Sequence, residues 1–191
     1  SGVDESHIID AQMNPNYFPV DKDVFGAKLK FGRIESDKSY KFGSLEVKTI
    51  AVHHTQGTLA FRISENGKSV VYMTDNEIYA DFKNGTPVFE TLYEKNDNLI
   101  EFCRGCDYLI HDSMYLVKDI EKKKGWGHSD NHSLAFFSTL AEVKNLVLFH
   151  YEPDYSDNIV QQMRIDTQEI INNSGKSINC IASKELMVLD I

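Results

Sequence analysis

The order of the predicted strands and helices constrains the fold of this 191-residue chain more than any other feature. In the first half, Asn66 and Gly67 stand between two runs rich in β-branched and aromatic residues, which predicts a hairpin. From residue 91 onward, helical periodicity alternates with short apolar runs. The predicted strands are 45–52, 58–63, 69–73, 106–111, 145–149, 177–181 and 185–189, the predicted helices are 91–104, 129–142 and 156–173, and residues 1–43 read as irregular. Hairpins followed by a β-α-β-α-β order predict an α/β fold, and the length suits a single domain, residues 1–191.

Four of these strands end on a potential metal ligand or proton carrier. The residues at those ends are His53 and His54, Asp75, His111 and Asp112, and His150. Ligands of open α/β sheets bind just beyond the carboxyl ends of the strands, and His nitrogen and Asp oxygen suit Zn²⁺, Mn²⁺ or Fe²⁺. A histidine at a strand end, taken alone, is more often a hydrogen-bonded loop residue than a metal ligand. The coincidence of all four strand ends favours a metal site.

A second concentration of chemistry lies at residues 125–129, with the sequence GWGHS. Two glycines permit a close approach of the backbone, and Trp126 supplies an apolar wall. His128 precedes a predicted helix, where free N–H groups and the helix dipole favour anions. A His in this position can hold a phosphoryl oxygen or protonate a leaving oxygen. The alternative is a mobile surface loop that follows three solvated lysines at 122–124.

Other patterns point less clearly to function. His128 and His132 have the spacing of a helical metal pair but lack the Glu of an H-E-x-x-H motif. Cys103 and Cys106 fit two small buried residues better than a redox or zinc site. A net charge of −9 argues against a surface that coats nucleic acid, and three cysteines predict a reducing, cytoplasmic location. No apolar run is long enough to span a bilayer, so we expect no membrane partner.

Five ordered segments together resemble the C-terminal half of a metallo-β-lactamase-fold hydrolase. They are residues 54–63 (HTQGTLAFRI), 71–77 (VYMTDNE), 107–115 (DYLIHDSMY), 125–129 (GWGHS) and 148–153 (LFHYEP). The most similar branch holds phosphodiesterases and tRNA-3′-processing nucleases, and residues 17–20 also fit it. The resemblance implies part of an αββα sandwich, with a mixed sheet that carries helices on one face.

The resemblance also implies roles for particular residues. In such enzymes two metal ions, zinc or else manganese or iron, bridge a hydroxide that attacks phosphorus or a carbonyl carbon. His54 would bind the first metal, Asp75 would bridge both, and His150 would bind the second. His128 would contact the phosphoryl group or protonate the leaving group. Asp112 would orient a histidine from behind the metal ligands, and Trp126, Gly127 and Ser129 would line the substrate site.

One family motif is missing from this sequence. The 191 residues contain no H-x-H-x-D-H string, which in the family supplies most ligands of both metals. Ser1 and Gly2 suggest a non-native start, so we expect an upstream half to have been lost and this chain alone to turn over little. The substrate would be a small phosphorylated compound or an ester. Two alternatives stay open: a non-catalytic module that forms a homodimer or binds a partner, and a hydrolase of lactones, thioesters or β-lactams.

Overall fold

The computed structural model describes residues 10–20, 24–28 and 30–191. The chain divides into two compact units, residues 1–35 and residues 36–191. In the first unit, the backbone N–H groups of Tyr17 and Phe18 both donate to the carbonyl of Asn14, which forms a turn within the region predicted to be irregular. Ser1 and Gly2 lie outside the described residues. The single-domain assignment of residues 1–191 stays a prediction.

The second unit contains nine strands and three α-helices among its described residues. The strands are β1 (Ser39–Phe42), β2 (Leu45–Ala51), β3 (Leu59–Glu65), β4 (Lys68–Met73), β5 (Phe82–Lys83), β6 (Thr86–Pro87), β7 (Tyr108–Asp112), β8 (Asn145–Phe149) and β9 (Asn179–Ala182). The helices are α1 (Phe89–Cys103), α2 (Asn131–Leu140) and α3 (Asp157–Asn173), and Ile120–Lys122 forms a 3₁₀ turn. Gly105, with a φ of +64°, follows the end of α1 as predicted. The α/β order read from the sequence is therefore confirmed.

The large sheet has the strand order β1-β2-β3-β4-β7-β8-β9. Its first four strands pair antiparallel, through hairpins, and its last four pair parallel, through helical crossovers. Because β2 is related to β4 by two antiparallel steps, β2, β4, β7 and β8 all point the same way. Their carboxyl ends therefore lie along one edge of the sheet.

The helices cover one face of this sheet. Apolar side chains on that face belong to one buried cluster with side chains from all three helices; examples are Val71, Leu109, Leu148, Leu99, Phe137 and Met163. On the opposite face Ile63, Tyr72 and Phe149 remain 37–39% exposed. The sheet is therefore packed on one side, as expected for half of a sandwich. No helix among the described residues is long and apolar enough to cross a membrane.

Three details of the sequence reading were wrong. The strand predicted at 185–189 is absent, because the N–H of Met187 donates to the carbonyl of Lys184 and turns the chain. Strand β1 lies within residues 1–43, which were predicted to be irregular. The small β5–β6 hairpin was also missed, although Asn84 and Gly85 carry the same turn signal as Asn66 and Gly67.

Candidate metal centre

The parallel register brings three predicted site residues to the same edge of the sheet. Met73 is aligned with His111 on β7, and Asp112 is aligned with Phe149 on β8. Asp75 and His150 follow β4 and β8 directly, and His54 follows β2 in the same direction. The strand-end pattern seen in the sequence is thus a spatial cluster.

Three side chains of this cluster can reach a single cation. One ligand atom each from His54, Asp75 and His128 lies within 4.8 Å of the others, and this is the one such group among the described residues. Two imidazole nitrogens and a carboxylate oxygen form a donor set that suits Zn²⁺ and related divalent ions. On its donor chemistry and spacing the cluster fits a divalent metal.

His150 approaches the same carboxylate from another side. Its Nε2 lies 3.3 Å from Oδ1 of Asp75, and its ring centroid is 5.1 Å from that of His128. Nδ1 of His128 is 3.8 Å from the same Asp75 oxygen. Asp75 therefore stands between histidines from different loops, which is the position that a bridging carboxylate needs. The ligand assignments of His54, Asp75 and His150 stay predictions.

Asp112 holds His128 from the interior. Oδ2 of the fully buried Asp112 lies 3.3 Å from Nδ1 of His128, and its two oxygens accept the backbone N–H groups of Asn76 and Ser129 at 2.7 and 2.8 Å. This hydrogen bond to Asp112 is the largest cause that raises the pKa of His128 above its ordinary value, against the opposing effect of burial. Because a carboxylate only accepts, Nδ1 carries a proton and Nε2 is the nitrogen left for a ligand.

Two residues of the cluster have an unusual backbone conformation. Asp75 and His150 both have a φ of +55°, in the left-handed region that non-glycine residues rarely adopt. Asp and His tolerate this region better than most residues, but the conformation still costs roughly 1–2 kcal/mol. Such strain is concentrated at functional sites, where the direction of a side chain matters more than local stability.

Glu77 was not singled out by the sequence reading, yet it organises the GWGHS loop. Its buried carboxylate accepts the backbone N–H of Gly125 at 2.9 and 3.0 Å and that of Gly127 at 2.9 Å. Its backbone carbonyl contacts Nδ1 of His53 at 3.0 Å. Glu77 therefore joins the loops that carry His54, Asp75 and His128. The signal in the sequence was a second acid two residues after Asp75.

Gly127 is required where the loop passes His54. Gly127 has a φ of +84°, and a Cβ at this position would overlap Nδ1 of His54 and lie 2.8 Å from its Cε1. The glycine thus leaves room for the Nδ1 edge of the His54 ring. Trp126, by contrast, is 59% exposed and has Nζ of Lys123 4.3 Å from its ring centroid.

Comparison with known proteins gives a consistent picture. Ribonuclease Z of Picrophilus torridus is 23% identical over 176 residues, which cover 76% of this chain and 56% of that protein. The metallo-β-lactamase fold protein YhfI of Bacillus subtilis superposes with a TM-score of 0.59 at 14% identity, over 82% of this chain and 54% of that one. Human tRNase Z, short form, gives a TM-score of 0.52 at 21% identity, over 81% and 48%. No family model matches the chain.

The chain has the metallo-β-lactamase fold. Most of this chain aligns with the ribonuclease Z relatives, but it spans only about half of their length. The resemblance inferred from five sequence segments, and the α/β half-sandwich that it implied, are therefore confirmed.

Within the metallo-β-lactamase fold, Ser129 has a different place from the one expected of a substrate-binding residue. It is 1% exposed, and its Oγ donates to the carbonyl of Asn76 at 2.6 Å and accepts the N–H of Ile78 at 3.0 Å. Its own N–H donates to Asp112. The hydroxyl is thus occupied within the protein, and Ser129 holds the strand-end loops together rather than facing a substrate.

Neither the His128–His132 pair nor the cysteine pair forms a metal site of its own among the described residues. His132 lies on α2 behind the N-cap Asp130 and is not part of the described metal-ligand group; burial is the main cause that lowers its pKa. Cys103 and Cys106 are buried and unpaired, and burial is the main cause that raises the pKa of Cys106 to about 12. The reading of these cysteines as small core residues is confirmed.

Proposed function

We propose that this chain is part of a metal-dependent phosphodiesterase and supplies half of its active site. The observation that carries the proposal is the convergence of His54, Asp75 and His128 within 4.8 Å at the carboxyl edge of the sheet. The relatives called ribonuclease Z and tRNase Z support a phosphodiester as the substrate class.

His54, Asp75 and His150 are the residues that would hold the metal, with Asp75 shared between two ions in the complete site. Zinc is proposed as the metal because the donors are imidazole nitrogen and carboxylate oxygen. Bound divalent ions in such sites lower the pKa of water and stabilise the charge of an in-line displacement. The chain's own contribution is to fix the ligands on short, strained loops at strand ends.

His128 lies within reach of a cation beside His54 and Asp75. Because its ring is paired with the buried Asp112, we propose that it acts on the phosphoryl group next to the metal rather than as a permanent ligand. Asp112 accepts its Nδ1, so the ring is fixed and Nε2 points away from that hydrogen bond. In the imidazolium form, in which Nε2 also carries a proton, Nε2 can then donate to a phosphoryl oxygen or hand its proton to the leaving oxygen. Hydrolysis of a lactone, thioester or β-lactam needs this contact less. His128→Ala should therefore reduce phosphodiester cleavage far more than ester hydrolysis.

Metal binding provides the first test, and it does not depend on turnover. We expect calorimetric titration with Zn²⁺ or Mn²⁺ to show binding that His54→Ala and Asp75→Ala each weaken by at least about 10-fold, as for loss of a ligand or its support. His132→Ala, a histidine outside the cluster, serves as the matched control and should bind like the unmodified protein. Equal weakening by all three substitutions would contradict the assignment.

Hydrolysis provides the second test. Bis-p-nitrophenyl phosphate should be cleaved in the presence of Zn²⁺ or Mn²⁺, weakly by this chain alone and more strongly by a version that includes an upstream half. A longer version that binds no metal and cleaves no phosphodiester would refute the proposed function.

A second candidate is an assembly module, and one observation favours it. The sheet face opposite the helices exposes Ile63, Tyr72 and Phe149, and an apolar patch of this kind is typical of an interface. A homodimer, or a complex with a separate N-terminal half, would bury it. Light scattering tests this directly: Tyr72→Lys should lower the mass if the face pairs, and a monomeric unmodified protein would argue against a homodimer.

The cytoplasmic location also stays a proposal. Its support is that Cys103, Cys106 and Cys180 are all free and buried.

A further inference from the structure

A small pocket opens beside the metal centre and is not used by the proposed chemistry. Its volume is about 140 Å³, and its walls include Trp126, Tyr79, His53, Thr55 and His54. The rings of Tyr79 and His53 stack with their centroids 4.2 Å apart and their planes 15° from parallel. Tyr79 is 43% exposed, so the pocket presents aromatic surface from two different loops.

The backbone around this pocket is held in place by hydrogen bonds to two buried side chains. The buried Asn96 accepts the N–H of Tyr79 at 3.1 Å and donates to its carbonyl at 2.7 Å. The loop on either side of Trp126 is fixed by Glu77 through Gly125 and Gly127. A backbone that is fixed before binding loses little conformational freedom when a ligand arrives, which favours a specific ligand over incidental contact.

Chemistry and position restrict what the pocket can take. A planar ring can stack on the exposed aromatic faces, and the hydroxyl of Thr55 and the His53 ring offer polar partners at its edge. Nζ of Lys123 lies over the Trp126 ring and 3.9 Å from a carboxylate oxygen of Glu152, so it covers one face of the indole and a ligand ring would pack on the other. His54 lines the pocket and also belongs to the metal-ligand group, so a ring bound here has its substituent beside the metal centre.

We propose that this pocket binds the nucleobase of a nucleotide ester, with the ring packed against Trp126 and Tyr79 and the phosphate directed toward His54. The inference rests on the proposed phosphodiesterase function for its biological meaning, but the binding itself does not require metal. It defines a specificity site for single-stranded or terminal nucleotides, whose bases are free to stack on aromatic side chains.

The chain contains its own reporter for this site, since Trp126 is the only tryptophan in the sequence. Metal-free protein, treated with a chelator, is titrated with adenosine monophosphate while the fluorescence of Trp126 is followed. Ribose 5-phosphate and phenyl phosphate are the comparison probes. We expect quenching by the nucleotide, none by ribose 5-phosphate, and affinity for phenyl phosphate at least about 5-fold lower than for the nucleotide, because one ring lacks polar edges.

Substitutions identify the second wall. Tyr79→Ala should weaken the nucleotide at least about 5-fold, the loss that corresponds to roughly 1 kcal/mol of stacking. Tyr79→Phe, which keeps the ring, should restore the affinity. Tyr93→Ala removes an equally exposed tyrosine on α1 that does not line the pocket, and it should have no effect. Melting curves on all three variants verify that they are folded.

Several results would overturn the inference. They are quenching by ribose 5-phosphate equal to that by the nucleotide, phenyl phosphate bound as tightly as the nucleotide, or equal affinities in the Tyr79→Ala and Tyr93→Ala variants. Nucleotide binding in metal-free protein that takes up no Zn²⁺ or Mn²⁺ would leave the pocket standing and refute the phosphodiesterase. Metal uptake without quenching by the nucleotide would refute the nucleobase pocket and leave the phosphodiesterase proposal standing.

Discussion

Gly125 and Gly127 provide a matched pair of positions at which backbone strain can be separated from contact with the metal centre. Both have a similar left-handed φ, +80° and +84°. A Cβ on Gly125 meets no heavy atom within 4 Å, whereas a Cβ on Gly127 overlaps the His54 ring. Gly125→Ala therefore introduces strain alone, and Gly127→Ala introduces the same strain and a collision with a proposed metal ligand.

The magnitudes follow from that difference. Placing alanine in the left-handed region costs roughly 1–2 kcal/mol, so both variants should lose about that much stability in urea. An overpacked site adds about 1–3 kcal/mol when nothing can move. His54 is exposed, so we expect its ring to swing away from Gly127 and relieve most of the collision. Gly127→Ala should then lose metal affinity by at least about 10-fold, while Gly125→Ala keeps it.

Calorimetric titration with Zn²⁺ at one fixed pH measures the affinities, and urea unfolding of the metal-free proteins measures the strain. The diagnostic result is a pair of similar stabilities with different metal affinities. Equal metal affinities in the two variants would refute the reasoning, because they would mean that the Gly127 contact does not determine the position of His54. A large loss of stability in Gly127→Ala alone would show that the ring cannot move.

Three further substitutions test how the loops and the sheet are held. Glu77→Gln replaces an accepting oxygen by an N–H₂ group facing backbone donors, so it should cost about 2–3 kcal/mol in urea unfolding and speed hydrogen exchange at the Gly125 amide; unchanged exchange would contradict this. Arg62→Ala removes a guanidinium that donates to two carbonyls at the end of α1. The free energy of unfolding in urea should fall by about 1–2 kcal/mol, and an unaltered urea midpoint would contradict this. The hydrogen bond from Lys144 is the first cause that lowers the pKa of the Asp107 carboxyl below 3.8. Because the folded pKa is depressed, this contribution to stability is present above about pH 4 and is lost as the pH falls through the folded pKa. The difference in unfolding free energy between the parent and Asp107→Asn should therefore shrink under acid. A difference that does not change with pH would contradict this role of the Asp107 carboxylate.

The order of elements was predictable because local patterns determined it. Alternation identified the β3–β4 hairpin, and a capping residue followed by helical periodicity identified α2, whose N-cap Asp130 accepts the N–H groups of His132 and Ser133. The strand predicted at 185–189 shows where such patterns fail. Its run of apolar residues is real, but a strand also needs a neighbour to pair with, and that information is not local.

The candidate site was predictable in membership but not in its internal connections. Asp75 and His150 could be found because each follows a strand, and parallel strands bring their ends together. Glu77 could not be found in this way, since its importance comes from two N–H groups nearly fifty residues further along the chain. The internal role of Ser129 could not be found for the same reason: its hydroxyl is used by the loop after β4.

These connections give the metal centre a particular physical design. The proposed ligands sit on strand-end loops, with a left-handed backbone at Asp75 and His150, and the buried carboxylates of Asp112 and Glu77 hold the neighbouring segments. Asp112 and Glu77 act in parallel, each accepting backbone N–H groups from the segment that carries His128. Because that segment is held at two points on either side of His128, loss of one carboxylate should loosen the loop without unfolding the sheet. The arrangement therefore separates the stability of the site from that of the fold. A sheet that is covered on only one face can then keep its candidate metal-binding loops preorganised.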